Sequence, residues 1–568
     1  MTPALTIFDI GLLAVFAVVV AIFLLYDVIS SYRSSRRLRR ELNERFGKIS
    51  RQPLNQDSVP QYWQLRQRHE QLTDCIDERT WDDLSMDEIF VRLNTCLTSV
   101  GEEYLYALLH EPRFDQQRIA GREPLIDFLR QNPAVRLELQ FLLTRMGRSD
   151  YSGLHLFNYE AAPQLPVPHG LLNVLTVLPW AFVALVFVWP TPGIIGAVLA
   201  LVLNGVIHYR ASRRLELYLH AVSYLSSMLW STERILKLLQ GKDIPASVRT
   251  GPLVQTLSAT SALFKSIRGL LSGTARRTRT YAEADYMIEF LRIIFLTQTR
   301  SYNRSVRFLA ENTGAFRSLY TSFGELEVAL CVLSLRVNLP HYTRPVFIQD
   351  TAIKATGLFH PLLTEPVAND VEIRRNALIT GSNASGKSTF IKAVAVNALL
   401  AQTINTCAAT SFQLRPALVV SSMAARDNIL AGESYFIAEI RSLKRLLDQA
   451  QRRYCLCFID EILKGTNAVE RVAASVAVLR HLASLDSLCL AATHDLELTV
   501  LLGEQYENYH FQEQVSDAGV SFDYRIHNGP SRSRNAIRLL SALGFDEAIV
   551  RDAEDLAYER SGRWVGEG

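Results

Sequence analysis

The sequence lacks cysteine pairs with the spacing of a zinc site. Its seven cysteines are scattered over 568 residues, and no two of them form a C-x-x-C pair. Structural zinc sites are usually built from such pairs, so the sequence indicates no zinc site. Cys455 and Cys457 alternate along an apolar segment. This pattern is typical of reduced thiols in the core of a cytosolic domain.

A charge excess of either sign is also missing. The chain carries 60 lysines and arginines against 57 aspartates and glutamates, which gives a formal net charge of +3. A strongly basic chain would indicate a nucleic-acid partner, and this balance does not. Any contact with DNA would therefore come from local patches. The length is enough for two to four domains.

Charged residues are absent from three apolar runs. They occupy residues 10–26, 171–189 and 193–207, and the last two are joined only by Pro190-Thr191-Pro192. A helix needs about 20 apolar residues to cross a bilayer, so we predict about three transmembrane helices, with lipid contact through residues 10–26 and 171–207. A cleaved signal peptide is the alternative for the first run, and a buried core helix is the alternative for the last.

Basic residues follow these runs. Seven lie between Arg33 and Lys48, and Arg210, Arg213 and Arg214 follow the third run. The positive-inside rule then places both large polar parts of the chain in the cytoplasm. We therefore predict a multi-pass membrane protein, in the bacterial inner membrane, with the first arginine cluster on anionic headgroups. A DNA-binding arm is the alternative for that cluster.

Changes in composition predict five segments. Helical patterns dominate up to Asn338-Leu339-Pro340, and an α/β pattern follows from about Val346. The segments are an anchor with its basic flank (1–50), a cytosolic helical region (51–168), a transmembrane hairpin (169–209), a second helical region (210–345) and an α/β domain (346–568).

One basic stretch lies in the second helical region. No acidic residue occurs between Thr260 and Ala282, whereas five basic residues do: Lys265, Arg268, Arg276, Arg277 and Arg279. The stretch is either a solvated helix face or a surface that contacts the phosphates of DNA or lipid.

The α/β domain contains a G-x-x-x-x-G-K-[ST] motif between a strand-like segment (377–380) and a helical one (389–402). This order is what a phosphate-binding loop requires. Glycines let successive backbone N–H groups face an anion, and the following helix adds its positive end. We predict that the loop binds ATP, with Lys387 on the phosphates and Ser388 on Mg²⁺. Its residues are Gly381, Ser382, Asn383, Ala384, Ser385, Gly386, Lys387, Ser388 and Thr389.

Two further segments supply candidate catalytic groups. The apolar run 454–459 ends in Asp460 and Glu461, which is typical of a buried parallel strand whose carboxyl end faces a ligand. Asp460 is placed to bind Mg²⁺, and Glu461 is placed to polarise an attacking water. Another predicted strand (487–492) leads to His494, which could sense the γ-phosphate or serve only a structural role.

These ordered motifs resemble the MutS family of DNA-mismatch-repair ATPases. The loop is similar to the family's G-P-N-x-x-G-K-S-T. Residues 460–466 (DEILKGT) are similar to D-E-I-G-R-G-T, residues 492–498 (ATHDLEL) to A-T-H-x-x-E-L, and His360-Pro361 to the H-P that opens the domain. Residues 427–436 resemble the segment that ends in G-x-S-T-F. In that family its serine reaches the opposite subunit's nucleotide, which implies that Ser434 is a contact in trans.

The resemblance covers about residues 351–555 and continues more loosely through the helical regions, which resemble the family's core and lever. It implies an ABC/MutS-type P-loop domain that hydrolyses ATP as a homodimer and acts on DNA. Because only about fifty residues precede this core, we expect no room for the family's mismatch-reading domains, and we interpret the match of Phe323-Gly324-Glu325 to its F-x-E reader as chance. Pro366 lies where the family has its adenine-stacking aromatic residue, so we predict that Tyr524 stacks on the base instead.

Two other functions remain open at this stage. The chain could be a membrane-tethered ATPase switch whose partner is a protein or a lipid, with no binding to DNA. A transporter ATPase is the third hypothesis. It is disfavoured because three spans are few for a translocation pathway, and because residues 432–436 (GESYF) differ from the transporter L-S-G-G signature.

Overall fold

A computed structural model describes most of the chain: residues 7–49, 53–149, 153–160, 163, 169–241, 244–271, 296–382, 385–423, 435–463, 466–516, 519–531 and 545–564. The chain forms two compact units. The first contains Met1–Lys48, Cys96–Glu102 and Pro124–Ser334, and the second contains Ile49–Thr95, Glu103–Glu123 and Leu335–Gly568.

The part of the chain before the α/β region is helical. Its helices are α1 (Ile7–Arg45), α2 (Val59–His69), α3 (Glu78–Asp83), α4 (Met86–Leu93), α5 (Ser99–His110), α6 (Gln116–Ala120), α7 (Glu123–Gln131), α8 (Pro133–Met146), α9 (Leu156–Tyr159), α10 (His169–Leu185), α11 (Pro190–Leu239), α12 (Ala246–Arg249), α13 (Pro252–Leu271), α14 (Thr297–Glu311) and α15 (Thr313–Asn338).

The core of the first unit forms where α8, α11, α13 and α14 pack together. Helix α15 contributes fully buried side chains to it, among them Phe316, Tyr320 and Phe323. Phe323 therefore has a packing role, which agrees with treating its motif as a chance match. Helix α11 covers 50 residues and is kinked at Leu215, whose dihedral angles are non-helical. Its first part belongs to the apolar hairpin and its second part to this core.

The apolar hairpin consists of α10 and the first part of α11. Two glycines allow the helices to approach closely: a Cβ on Gly193 would lie 2.6 Å from the Val186 nitrogen, and one on Gly196 would lie 2.2 Å from the Phe182 ring. Apolar side chains on the outside of the hairpin are exposed, including Phe187 at 89%. The hairpin is thus tightly packed inside and apolar outside.

The prediction of three membrane spans needs correction. Within the described residues, two helices are long and apolar enough to cross a bilayer: Pro190–Arg210, whose apolar window is 22% buried, and Thr313–Asn338, at 83%. The first contains the predicted run 193–207, and the second is the core helix α15. The run 171–189 forms the shorter apolar helix α10, which has 17 residues and ends at Leu185, so its crossing of a membrane stays a prediction.

The third predicted span, residues 10–26, lies within the 39-residue helix α1. Most side chains of this run lie outside the described residues. Its crossing of a membrane stays a prediction. The basic stretch 265–279 also lies largely outside them, and only Lys265 is described, as an exposed side chain on α13.

From Val346 onward the chain is mixed α/β. Its strands are β1 (Val346–Phe347), β2 (Ile353–Leu358), β3 (Asn369–Ile373), β4 (Asn376–Thr380), β5 (Ser411–Leu414), β6 (Leu418–Ser422), β7 (Cys455–Asp460), β8 (Ser487–Thr493), β9 (Tyr506–Ser516) and β10 (Gly519–Asn528). Its helices are α16 (Lys387–Ile404), α17 (Tyr435–Ala450), α18 (Ala468–Ala483), α19 (Glu497–Leu501) and α20 (Glu547–Trp564).

Six strands form the main sheet in the order β10-β9-β4-β8-β7-β6, and β1-β5-β2-β3 form a smaller one. All neighbours in the main sheet are parallel except β9 and β10. Every residue of β4 and β8 is buried, as expected for parallel strands covered on both faces. Apolar residues of α17 and α18 pack against β7 and β8 in one cluster. The predicted order, a helical part followed by an α/β domain, is confirmed.

Candidate active site

The candidate site lies at the carboxyl ends of three adjacent parallel strands. Thr380 at the end of β4 pairs with Thr493 at the end of β8, and Asp460 at the end of β7 pairs with Ala492. The three segments that leave these strands therefore begin side by side. Ligands of open α/β sheets bind at such an edge, where loop side chains converge.

The segment after β4 turns sharply at two glycines. Gly381 has φ +144°, and a Cβ there would lie 2.7 Å from the Phe511 carbonyl oxygen. Gly386 has φ +108° and immediately precedes α16, which begins at Lys387. Both angles are strained for residues with side chains, so the glycines permit a compact loop that ends at a helix N-terminus.

The Lys387 side chain folds back over this loop. Its Nζ donates hydrogen bonds to the carbonyl oxygens of Gly381 at 2.7 Å and Ser382 at 2.6 Å, and only 4% of the residue is exposed. A buried ammonium is costly unless it is paired, and these carbonyls stabilise it. The lysine therefore holds a positive charge against the concave side of the loop.

Glu461 and His494 meet at the ends of β7 and β8. Glu461 has φ +62°, and its backbone N–H donates to the Ala492 carbonyl oxygen at 3.0 Å. Its Oε1 lies 3.5 Å from Nδ1 of His494. A non-glycine residue with positive φ is uncommon and often marks a functional position. This turn brings the carboxylate to the imidazole.

A cavity of about 380 Å³ opens beside these groups. Five residues of the predicted loop line it (Ser382, Gly386, Lys387, Ser388 and Thr389), together with Glu461 and Tyr524. The remaining lining is mostly apolar and includes Phe359 and Phe511. Asp460 and His494 are not among the lining residues, but each adjoins Glu461. The cavity thus combines an apolar part with a few polar and charged groups, as ligand sites commonly do.

Tyr524 enters the cavity wall from β10. It has φ +52°, and the Asn369 side chain holds the strand on both sides of it: Nδ2 donates to the Tyr524 carbonyl oxygen at 3.1 Å, and Oδ1 accepts from the Ile526 amide at 2.8 Å. A Cβ on Gly386 would lie 3.3 Å from the Tyr524 ring. Tyr524 is 46% exposed, so the rest of the protein covers its side chain only in part.

His360 also lines the cavity. Burial lowers the pKa of its imidazole to about 4, and the nearby charges of Lys392 and Arg92 act in the same direction. The ring is therefore neutral at physiological pH. Its neutral form can contact an uncharged part of a ligand without adding to the cationic loop.

Ser388 and Asp460 are the predicted Mg²⁺ ligands. Ser388 lines the cavity and Asp460 ends β7 beside Glu461. Neither side chain has a hydrogen-bond or ion-pair partner within the described parts of the chain, so their oxygens are available. Mg²⁺ commonly takes one or two protein oxygens together with phosphate oxygens and waters. Ser388 and Asp460 each offer an oxygen of the kind that Mg²⁺ takes.

Three predicted site residues lie outside the described residues: Asn383, Ala384 and Ser434. The contacts missed by sequence reasoning are long-range ones. Phe511 and Asn369 shape the cavity from strands that carry no recognisable motif. A further ion pair, Arg471 with Asp495, lies beside His494. The one signal of this pair in the sequence was that Asp495 lies next to His494 in the 492–498 motif.

The comparisons with known proteins match the α/β domain that contains the cavity. Residues 377–560 match the family model described as MutS domain V. A stretch of 258 residues is 30% identical to the DNA mismatch repair protein MutS of Thermus thermophilus, covering 44% of this chain and 31% of that protein. MutS protein homolog 4 of Mus musculus is 32% identical over 241 residues, which cover 39% of this chain and 25% of the homolog.

The chain therefore spans less than a third of the length of these MutS relatives. The match to MutS domain V lies in the α/β domain and includes the segments that follow β4, β7 and β8, which carry Lys387, Glu461 and His494.

Proposed function

We propose that this chain is an ATPase of the MutS family, anchored in a membrane, that binds and hydrolyses ATP as a homodimer and acts on DNA. One observation carries the ATPase part. The cavity lined by Lys387, Ser388, Glu461 and Tyr524 lies at the carboxyl edge of the sheet, within the segment that matches MutS domain V.

Each residue has a distinct role in this proposal. The 381–389 loop binds the phosphates through backbone N–H groups, the α16 N-terminus and Lys387. Ser388 and Asp460 hold Mg²⁺, which neutralises phosphate charge when it is bound. Glu461 orients and polarises the attacking water, and His494 lies next to that carboxylate to sense the γ-phosphate. Tyr524 stacks on the base.

Two variants of the full chain test the ATPase. Lys387→Ala should weaken binding of a fluorescent ATP analogue, because it removes the cation of the loop. Glu461→Gln should bind the analogue normally yet hydrolyse ATP on the order of a hundredfold more slowly, in line with general-base contributions. Unchanged turnover in Glu461→Gln, or unchanged affinity in Lys387→Ala, would contradict the corresponding role.

The proposal that this chain acts on DNA is based on its similarity to a protein named as a DNA mismatch repair protein. The measurement is the binding of full-length protein to duplex and branched DNA over a range of salt concentrations. Phosphate contacts release counterions, so a genuine DNA surface gives an affinity that falls steeply with salt. Absence of binding at low salt would favour the alternative function below.

The hairpin formed by α10 and the first part of α11 supports the proposed membrane anchor. Pro179 lacks an N–H, so the Leu175 carbonyl has no helical donor at that position, and the buried Asn204 side chain donates to it at 3.1 Å. In lipid every backbone polar group needs an internal partner, because no water is present. The exposed apolar surface and this internal bond both suit a bilayer.

A membrane-tethered switch that acts on a protein or lipid partner is the second candidate. The exposed apolar face of α10 and α11 is a surface of the kind that a lipid or an apolar protein partner would contact. The salt-dependence experiment separates the two candidates.

A further inference from the structure

His494 lies between two carboxylates. Its Nδ1 is 3.5 Å from Glu461 Oε1, and its Nε2 is 3.7 Å from Asp495 Oδ1. The imidazole is 44% exposed, whereas the side chains of Glu461 and Asp495 are each only 10% exposed. A half-exposed ring can rotate, so its orientation depends on how firmly the two carboxylates around it are held.

Asp495 is held by Arg471. The guanidinium makes a two-pronged contact with the carboxylate, with Nη2 2.7 Å from Oδ1 and Nε 2.9 Å from Oδ2. The Asp495 amide also donates to the Thr493 hydroxyl at 3.0 Å. Paired N–H···O bonds of this kind fix direction as well as distance, which a single lysine contact cannot do.

Arg471 and Asp495 belong to the two segments that carry the candidate catalytic groups. Arg471 lies in the first turn of α18, which follows the Glu461 turn, and Asp495 directly follows His494. The Asn467 side chain caps the same helix by accepting from the Glu470 amide at 3.0 Å. The ion pair therefore ties the segment after β7 to the segment after β8 on the far side of the imidazole.

We propose that Arg471 and Asp495 are positioning residues for ATP hydrolysis, which keep His494 oriented against Glu461. This inference rests on the proposed ATPase function. Neither residue lines the cavity, so both act through His494. Misplacement of a reacting group by about 1 Å can reduce a rate by about a hundredfold. Loss of the pair therefore lowers kcat and leaves nucleotide binding intact.

A second two-pronged Arg–Asp ion pair, more exposed than the first, provides a control. Arg415 contacts Asp486 through Nη1–Oδ1 at 2.9 Å and Nη2–Oδ2 at 3.1 Å. Asp486 directly precedes β8, whereas Asp495 follows it. The two pairs thus lie at opposite ends of the same strand, and only the Arg471 pair adjoins the site.

The experiment measures kcat, KM and nucleotide affinity in the full-length chain for Arg471→Lys, Arg471→Ala and Asp495→Asn. Arg471→Ala and Asp495→Asn should lower kcat by tenfold or more, with nucleotide affinity within twofold of the wild-type value. Arg471→Lys retains the charge without the fork, so its kcat should fall between those of wild type and Arg471→Ala. Arg415→Ala and Asp486→Asn should leave kcat within twofold.

Two results would overturn the proposal. One is wild-type kcat in Arg471→Ala and Asp495→Asn. The other is a parallel loss of nucleotide affinity and thermal stability with unchanged kcat, which marks a purely structural pair. Arg471→Lys and Asp495→Asn are conservative enough to be measured even if Arg471→Ala does not fold. If the wild-type chain hydrolyses no ATP, the proposed function itself has failed. If hydrolysis depends on Glu461 but not on this pair, only the present inference has failed.

Discussion

Asp83 accepts a hydrogen bond from the Ser421 hydroxyl at 2.8 Å. The same Oδ2 atom accepts from the Met423 amide at 3.0 Å, and Arg79 Nε lies 3.1 Å from Oδ1. Ser421 lies near the end of β6, and the chain continues from there toward the segment that contains Ser434. A carboxylate from α3, far earlier in the chain, thus secures the last residues of β6 within the second unit.

Removing this carboxylate should destabilise the second unit. Asp83→Ala leaves the Ser421 hydroxyl and the Met423 amide without their acceptor in a buried place, which should lower the free energy of unfolding by about 2–4 kcal/mol. Thermal or urea unfolding of the full chain measures it. Asp82→Ala is the control, because Asp82 is exposed and its removal should change stability by less than about 0.5 kcal/mol. Equal effects of the two substitutions would refute the assignment.

His110 should make the free energy of unfolding depend on pH. Burial lowers the pKa of its imidazole to about 3, although the hydrogen bond with the Tyr106 carbonyl opposes the shift. The ring stacks on Trp81 with centroids 3.7 Å apart. Above pH 6.5 the ring is neutral in both folded and unfolded chains. As pH falls below 6.5, only the unfolded chain takes up the proton, so stability is lost, by about 3 kcal/mol at pH 4.

His110→Phe keeps an aromatic ring and removes the titration. Urea unfolding at pH 7.5, 6 and 5 should show a shallower fall in stability for this variant than for the wild-type chain. The variant also loses the bond to the Tyr106 carbonyl, which costs about 1 kcal/mol at every pH. His481, which is exposed, gives the control His481→Gln. Identical slopes for His110→Phe and the wild-type chain would rule out the role of His110.

Tyr524 should contribute to affinity through its ring. Stacking of a base on an aromatic side chain is worth about 1–3 kcal/mol, so Tyr524→Ala should weaken ATP binding by roughly five- to a hundredfold. Tyr524→Phe retains the ring and should bind nearly as well as wild type. Equilibrium titration with a fluorescent nucleotide measures both variants. Equal weakening by the two would show that the hydroxyl, not the ring, makes the contact.

Subunit mixing tests whether Ser434 acts in trans. In a head-to-tail dimer of Lys387→Ala and Ser434→Ala chains, one site carries both lesions and the other carries neither. Mixed samples should therefore recover part of the ATPase activity that each variant lacks alone, and tethering in a membrane raises the effective concentration for pairing. No recovery while mixed dimers form would make Ser434 an ordinary helix-capping residue instead.

The topology of the hairpin can be tested at Thr191, which lies in the first turn of α11 just after the link from α10. If the hairpin spans the bilayer with both ends in the cytoplasm, Thr191→Cys should react with a membrane-impermeant thiol reagent in intact cells. Cys75, the one native cysteine that is not fully buried, provides the internal control and should stay unlabelled. Labelling of Cys75 together with no labelling at position 191 would reverse the predicted orientation.

The local sequence was sufficient to locate the candidate site within the α/β domain. The strand predicted before the loop is β4, the run 454–459 forms β7, and the segment leading to His494 forms β8. Such motifs are readable because the residues involved are consecutive: buried parallel strands are continuous apolar runs, and a tight loop requires glycine at specific positions. Consecutive residues also indicated the apolar hairpin.

The tertiary structure decided what lies far apart in the chain. Asp83 and Ser421 are separated by 338 positions, Asn369 and Tyr524 by 155, and Arg471 and Asp495 by 24. No periodicity or motif encodes such pairs, because each depends on two elements that meet only in the folded chain. The same holds for the spans: α15 is as apolar as a membrane helix, and only its burial among other helices marks it as core. Composition measures how apolar a helix is, and packing determines whether protein or another medium covers it.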